Sequence, residues 1–369
     1  MRDKEMDLVA ERLVVEPEVA PVAAVAIAFR GDKTWFYRTG RAARRSTRRT
    51  GTAADVFDLA SLTKPFVALC CARLSGGLPE GLACRLDRLL PELAGTSVGG
   101  ATLELLLAHR AGLKAHLPLF APLVARRAIN RRSTLHTAIG WTRSGCDGAV
   151  PSEGFPPLYS DLGFFLIGEA LETWKRRPLD ELVDEEVSRP LELEAYSARQ
   201  WLSRGDFLAR VAPTEHVGWR GGELLGVAHD ENAWALAGHR SAGHAGLFAT
   251  AEAMARFGAA LLDALAGRAE SWLRRELLSL LLAPRSGGSL RAGFDGKAAA
   301  DSAAGRLAGP DTFGHLGFTG TSFWCDPRRE TVTVLLTNRV NPSRTRQAIA
   351  KARPKVHDAL FELAEVSRS

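Results

Sequence analysis

A chain of 369 residues with 46% hydrophobic and 24% charged side chains has the composition of a folded protein, large enough for one big domain or two interleaved ones. No apolar run approaches the roughly 18 residues of a membrane helix, and the charged start "MRDKEMDLVAERLVV" lacks the apolar middle of a secretory leader, so the expectation is a cytoplasmic protein without a membrane span. The net charge of +6 is carried by scattered arginine and one cluster, "RAARRSTRRTG" at 41–51, which reads as a solvated loop rather than a nucleic-acid surface.

Met6, Leu8, Val9 and Leu13 outline a short amphipathic helix ahead of a hairpin made of "VAAVAIAF" (22–29), a turn at Gly31-Asp32 and "TWFY" (34–37). From Ser61 onward, Phe66, Val67, Cys70 and Leu74 recur at helical spacing until "SGG" at 75–77 stops the segment, which puts Ser61 at a helix N-terminus. Helical patterns such as 102–110 and 161–174, separated by Pro/Gly loops, then run to about 240. The Gly-, Ala- and Ser-rich stretch 284–310 reads as a surface loop, with a place at an active-site mouth as the alternative. Strand character returns in a second hairpin, "GTSFWCD" (320–326) and "TVTVLLTN" (331–338) around "PRRE", followed by a helical tail kinked or broken at Pro354. Strands at both ends of the chain imply one sheet assembled from both ends.

Cys70, Cys71, Cys84, Cys146 and Cys325 form no CxxC pair, so neither a disulfide framework nor a zinc site is expected. His239 and His244 are five positions apart, not the four of a helical ligand pair, which again points to no metal.

The chain has eight lysines against forty arginines, so a lysine one turn from a serine carries weight, because arginine does not give up its proton. The i, i+3 spacing in Ser61-Leu62-Thr63-Lys64 places both side chains on one helix face, while the free amides of a helix N-terminus favour developing negative charge. The plain alternative is that Ser61 caps the helix and Lys64 is solvated. A lysine with the ordinary pKa near 10.4 is neutral in only about one molecule in 2,500 at pH 7, so a basic Lys64 requires a lowered pKa, or a second base must share the work. "PLYSDLGFF" (157–165) supplies that base in Tyr159, just ahead of a helix capped by Ser160 or Asp161. "FGHLGFTGTSFW" (313–324) offers Gly317, which lets a substrate approach the backbone, and the Phe318 amide as an oxyanion donor.

Together these segments resemble the serine β-lactamase and penicillin-binding-protein superfamily, in particular its class C β-lactamase-like branch of esterases and peptidases. Ser61-Leu62-Thr63-Lys64 is similar to the SxxK of that family, Tyr159-Ser160-Asp161 to its Tyr-x-Asn, and His315-Leu316-Gly317 to its KTG in a His-x-Gly form. The resemblance runs from about residue 20 to 340. It implies an α/β (α+β) fold of the β-lactamase/transpeptidase type: an antiparallel sheet flanked by helices from 1–80 and 241–369, a mostly helical region over 81–240, and the active site in the groove between them. It also implies that Ser61, Lys64 and Tyr159 are catalytic, that the amides of Ser61 and Phe318 hold the oxyanion, and that Asp161, His315, Gly317, His229, Asp230 and His244 shape the substrate site. Trp219 and Trp234 either line the same cleft or serve apolar packing, two readings the sequence supports equally. No cofactor or metal is implied.

Two departures bear on substrate. Asp161 in place of asparagine brings a carboxylate toward Lys64 and favours its charged form, so Tyr159 must share or lead proton transfer. His315 in place of lysine weakens the demand for a substrate carboxylate and favours ester or D-amino peptide hydrolysis over true β-lactamase action. A rival alignment reads Ser160-Asp161-Leu162 as the SDN of class A enzymes, with Ser160 as the shuttle; the 98 residues from Ser61 to Tyr159 argue against it. The expected partner is a small ester, peptide or β-lactam, and the competing class is a non-catalytic penicillin-binding or ligand-sensing protein that keeps the groove.

Overall fold

The computed structural model describes residues 3–44, 55–268 and 272–368. Among them are eleven strands: β1 (Val22–Arg30), β2 (Trp35–Ala43), β3 (Val56–Asp58), β4 (Ala195–Ser197), β5 (His216–Val217), β6 (Gly222–Glu223), β7 (Leu247–Thr250), β8 (Asp295–Gly296), β9 (Phe313–Leu316), β10 (Ser322–Asp326) and β11 (Thr331–Thr337). The main sheet is antiparallel, in the order β2-β1-β11-β10-β9-β8. The first and last long strands are neighbours, from Ala23 opposite Thr337 to Phe29 opposite Thr331.

β1 is an unbroken apolar run because helices cover both of its faces. Ala23, Val25, Ile27 and Phe29 pack against Met6, Ala10 and Val14 and against Val356 and Leu360 of the C-terminal helix, Ile349–Val366. The alternate residues Val22, Ala24, Ala26 and Ala28 join a core that includes Phe257 and Met254 of the Ala251–Leu265 helix. That core continues without a break through the Thr63–Ser75 helix to the Asp161–Lys175 helix. Phe66 stacks on Phe257 with ring centres 4.2 Å apart, which ties the helix behind Ser61 to the helix under the sheet. A small sheet, β3-β7-β4, draws strands from early, middle and late sequence and ends at Asp58, three residues before Ser61.

Three expectations change. The tail is one helix through Pro354, not broken there: the carbonyl left without a partner belongs to Ala350, which is exposed and open to water. Arg41–Ala43, read as the start of a solvated loop, extends β2, where Ala43 pairs with Val22 and the Arg41 amide donates to Asp7 Oδ1 at 2.8 Å. Arg44 follows, its amide donating to the Pro21 carbonyl at 2.9 Å, and residues 45–51 of that cluster lie outside the described residues. The stretch 284–310 is not surface loop throughout, because β8 lies within it at the sheet edge beside β9. No helix among the described residues is long and apolar enough to cross a membrane, and all five cysteines are free and buried.

Candidate active site

Ser61 follows Ala60, whose backbone is left-handed (φ 48°), a conformation that costs a residue with a side chain roughly 1–2 kcal/mol. Asp58, at the end of β3, holds it in place. One carboxylate oxygen accepts the Ala60 amide at 2.8 Å and the other the His229 amide at 2.7 Å. Thr319 donates its hydroxyl to the Asp58 carbonyl at 2.7 Å, and Thr321 donates to the Leu59 carbonyl at 3.0 Å. The turn that presents Ser61 is thereby bonded both to the 229 loop and to the turn after β9. A 3-10 turn, Ala60–Leu62, leads into the α-helix that begins at Thr63, so Ser61 lies just ahead of the helix and does not cap it.

Lys64 is fully buried, and its Nζ donates to Ser61 Oγ at 2.9 Å, to Asp161 Oδ1 at 2.7 Å and to the His244 carbonyl at 3.3 Å. The His244 carbonyl can reach this point because Gly243 presses on the Asp161–Lys175 helix; a Cβ there would stand 1.7 Å from the Phe164 oxygen. Burial works against the charge on Lys64, but the Asp161 carboxylate, aided by Tyr159, outweighs it and holds the ammonium above its ordinary pKa. Asp161 is held well below the carboxylate range, because Lys64 and His116 overcome its own burial. The lowered lysine pKa that a freestanding base requires is therefore absent: Lys64 is a charged donor to Ser61.

Ser160 is the helix cap, accepting the Gly163 amide at 3.4 Å and donating to the Lys114 carbonyl at 2.7 Å. Its hydroxyl is committed there, while Asp161, the first helical residue, turns to Lys64. Tyr159 is packed by His109, ring centres 4.6 Å apart, and the His109 Nδ1 accepts the Ser160 amide at 3.0 Å. Burial lowers His109 to about 3, so it is a neutral acceptor. The Tyr159 phenol interacts with both Ser61 and Lys64; burial raises its pKa, and the Lys64 charge opposes the rise.

His315 on β9 lies 6.0 Å from Tyr159, ring centre to ring centre. Burial lowers it to about 3, and Nδ1 donates to the Leu316 carbonyl at 2.8 Å, which leaves Nε2 as an acceptor. Gly317 has no room for a side chain, since a Cβ would lie 2.0 Å from Thr321 Oγ1. The Phe318 amide makes no hydrogen bond among the described residues, and the Phe318 ring stacks on His229 with centres 5.6 Å apart.

Two cavities meet at Ser61, Tyr159 and Phe318. One, of about 340 Å³, is lined by His116, Asp161, His229, Asp230 and Glu231, with Arg344 at its wall. The other, of about 450 Å³, reaches His315, Gly317, Asp295, Arg339 and Arg353. His229 thus lines the first cavity, its Nε2 paired with Glu215 at 2.9 Å. The His244 ring is buried against Asp230 at 2.9 Å and reaches the site only through its carbonyl. Trp219 and Trp234 line neither cavity and pack on each other, 5.8 Å apart. Sequence reasoning had no signal for His116, Asp58, Arg339 or Arg353, which stand in no motif and become neighbours only on folding.

A serine hydroxyl, a buried lysine and a phenol thus meet on a mixed α/β fold with an antiparallel sheet. Residues 12–357 match the Beta-lactamase family model, and the chain belongs to that family. It is 30% identical over 223 residues to a Salmonella paratyphi B protein provisionally named D-alanyl-D-alanine carboxypeptidase; the match takes in 56% of this chain and 49% of that one, so the chain spans about half the length of the curated relatives it matches. Among solved structures it is similar to EstCE1, a hydrolase with promiscuous acyltransferase activity (TM-score 0.70, 19% identity, 97% and 98% of the two chains). It is also similar to the D-amino acid amidase of Ochrobactrum anthropi SV3 (TM-score 0.69, 17% identity, 99% of each chain). At these identities the structural likeness concerns the fold.

Proposed function

We propose that the protein is a serine hydrolase of the class C β-lactamase-like branch, acting through a covalent acyl-enzyme. The groove holding the site lies, in this reading, between a sheet unit of 1–80 and 241–369 and a helical unit of 81–240. The observation that carries it is the mutual contact of the Ser61 hydroxyl, the Lys64 ammonium and the Tyr159 phenol where two cavities join.

Ser61 Oγ attacks the carbonyl carbon of an ester, amide or lactam while its proton passes to Tyr159 Oη. The phenol gives its own proton to the leaving group, so no free tyrosinate accumulates. Lys64, charged at rest, steadies the negative charge shared between the two oxygens, and the amides of Ser61 and Phe318 receive the oxyanion. Water then reverses the sequence and frees the acid. The neutral His315 and the carboxypeptidase name of the 30%-identical relative support an esterase or D-amino peptidase rather than a β-lactamase. In this reading the location is cytoplasmic, which accommodates five cysteines that are free and buried.

Intact mass after treatment with a fluorophosphonate tests the reading: one adduct on the wild type and none on Ser61→Ala is expected, and an adduct that survives the substitution overturns it. The second reading, a ligand sensor that keeps the groove, draws on the charged resting state of Lys64; labelling of Ser61 without turnover of any ester, D-amino peptide or lactam would select it.

A further inference from the structure

The two cavities that flank Ser61 carry opposite charge. Three carboxylates, Asp161, Asp230 and Glu231, face the smaller one, where Arg344 is the arginine at the wall. Arg344 is already engaged by Glu215 at 2.6 Å and Glu231 at 2.5 Å. Asp161 keeps one oxygen for Lys64, and its other oxygen meets His116 only at 3.5 Å. Asp230 spends one oxygen on His244 and the Ala233 amide. An entering ammonium therefore finds acceptor oxygens that the fold has not used.

The larger cavity is the reverse. Arg339 and Arg353 both line it, and neither makes an ion pair among the described residues. Arg339 donates to the carbonyls of Phe318, Arg344 and Arg346, and Arg353 donates to those of Gly317 and Thr321. The buried Nε of Arg353 has no hydrogen-bond partner among the described residues. Asp295 is the acid in this cavity and has Arg291 as its neighbouring cation. Arg339 is buried and Arg353 half-buried, each hydrogen-bonded to carbonyls alone, and a desolvated guanidinium without an ion-pair partner is unfavourable unless an anion joins it. The positive charge that neutral His315 does not supply is thus present in the same cavity.

We propose that the substrate is an unblocked dipeptide, with its free ammonium in the carboxylate-lined cavity and its carboxylate in the guanidinium-lined one. This deepens, and rests on, the serine-hydrolase reading above. The charge order also sets the direction of cleavage, because in a dipeptide the ammonium belongs to the acyl half and the carboxylate to the departing amine. Ser61 Oγ bonds to the single peptide carbonyl, the C–N bond breaks, the second amino acid leaves with the proton relayed through Tyr159, and water releases the first.

The test compares Ala-Ala in its L,L and D,D forms with N-acetyl-Ala-Ala and with Ala-Ala amide, using 4-nitrophenyl acetate as a neutral reporter of the Ser61 centre. For the favoured stereoisomer, blocking either end is expected to lower kcat/KM by about tenfold or more, the ratio that ~1.4 kcal/mol sets. Glu231→Gln should shrink the free-to-acetylated ratio, a comparison made within one variant and so independent of how much of it folds. Equal or faster turnover of both blocked peptides, with the neutral ester still hydrolysed through Ser61, overturns the dipeptide proposal alone. Loss of ester hydrolysis together with absence of Ser61 labelling overturns the underlying hydrolase reading as well.

Discussion

The two sides of the site are held by different forces. On the sheet side, the Ser61 turn and the Gly317–Thr321 turn are fixed by neutral or backbone partners: the Thr319 and Thr321 hydroxyls on carbonyls, and the Asp58 carboxylate on two amides. On the helical side, Asp161 is fixed by the Lys64 ammonium, Asp230 by the His244 ring and Glu215 by the His229 ring and the Arg344 guanidinium. Hydrogen bonds to backbone set where Ser61 and the turn after β9 stand, and among their partners the buried Asp58 carboxylate, its pKa raised by burial, is the titratable one. On the other side, the mutual charge of Lys64 and Asp161 holds both groups ionised. The difference teaches that geometry and reactivity can be altered separately here.

The largest expected effect breaks the link between the two sides. Tyr159→Phe removes the only phenol in contact with both Ser61 and Lys64, so acylation measured by stopped-flow labelling should slow by about a hundredfold or more. An unchanged rate would move the relay to Lys64 alone. Next comes Asp58→Asn, which loosens the sheet side. An amide has one acceptor oxygen where the carboxylate uses two, so either the Ala60 or the His229 amide faces an NH₂ group. A loss of about 1–3 kcal/mol in urea unfolding is expected, with slower Ser61 labelling. A variant as stable and as reactive as the wild type would remove Asp58 from the account.

Asp161→Asn sharpens the charge side with the smallest effect on rate at neutral pH. Without its carboxylate, burial dominates Lys64 and its pKa falls, so the alkaline fall of the pH–rate profile, where Lys64 loses the charge that steadies proton transfer, should move to lower pH. A profile that does not move means Lys64 takes no part in setting the rate. Stability gives an independent reading of the same pair. Asp161 has a depressed folded pKa, so its contribution is present above the ordinary carboxylate value of 3.8 and is lost as pH falls toward the folded one. The folded Lys64 pKa is raised, so its contribution is complete below 10.5 and is lost as pH rises through the folded value. Acid unfolding curves should show a wild-type loss below about pH 4 that the asparagine variant lacks.

Much of this was readable without coordinates. The apolar runs at 22–29 and 331–338 belong to neighbouring strands of one sheet, as expected, because an apolar strand must find covered neighbours wherever they lie in the chain. The i, i+3 spacing of Ser61 and Lys64 likewise survives folding, since the 3-10 turn running into the first turn of the helix sets that distance locally. Of the kink or break that Pro354 allows, the break does not occur, because the carbonyl left without an N–H is on exposed Ala350 and open to water, and that exposure is a property of packing.

What the sequence determined alone was therefore the local part: which residues can attack, which spacing brings Lys64 to Ser61, and which segments are strand or helix. Tertiary structure decided the charge state of Lys64, the release of Asp161 from capping duty, and the opposite charges of the two cavities. Burial and the few ångströms between residues a hundred or more positions apart set those properties, and neither quantity is written in any short stretch of chain.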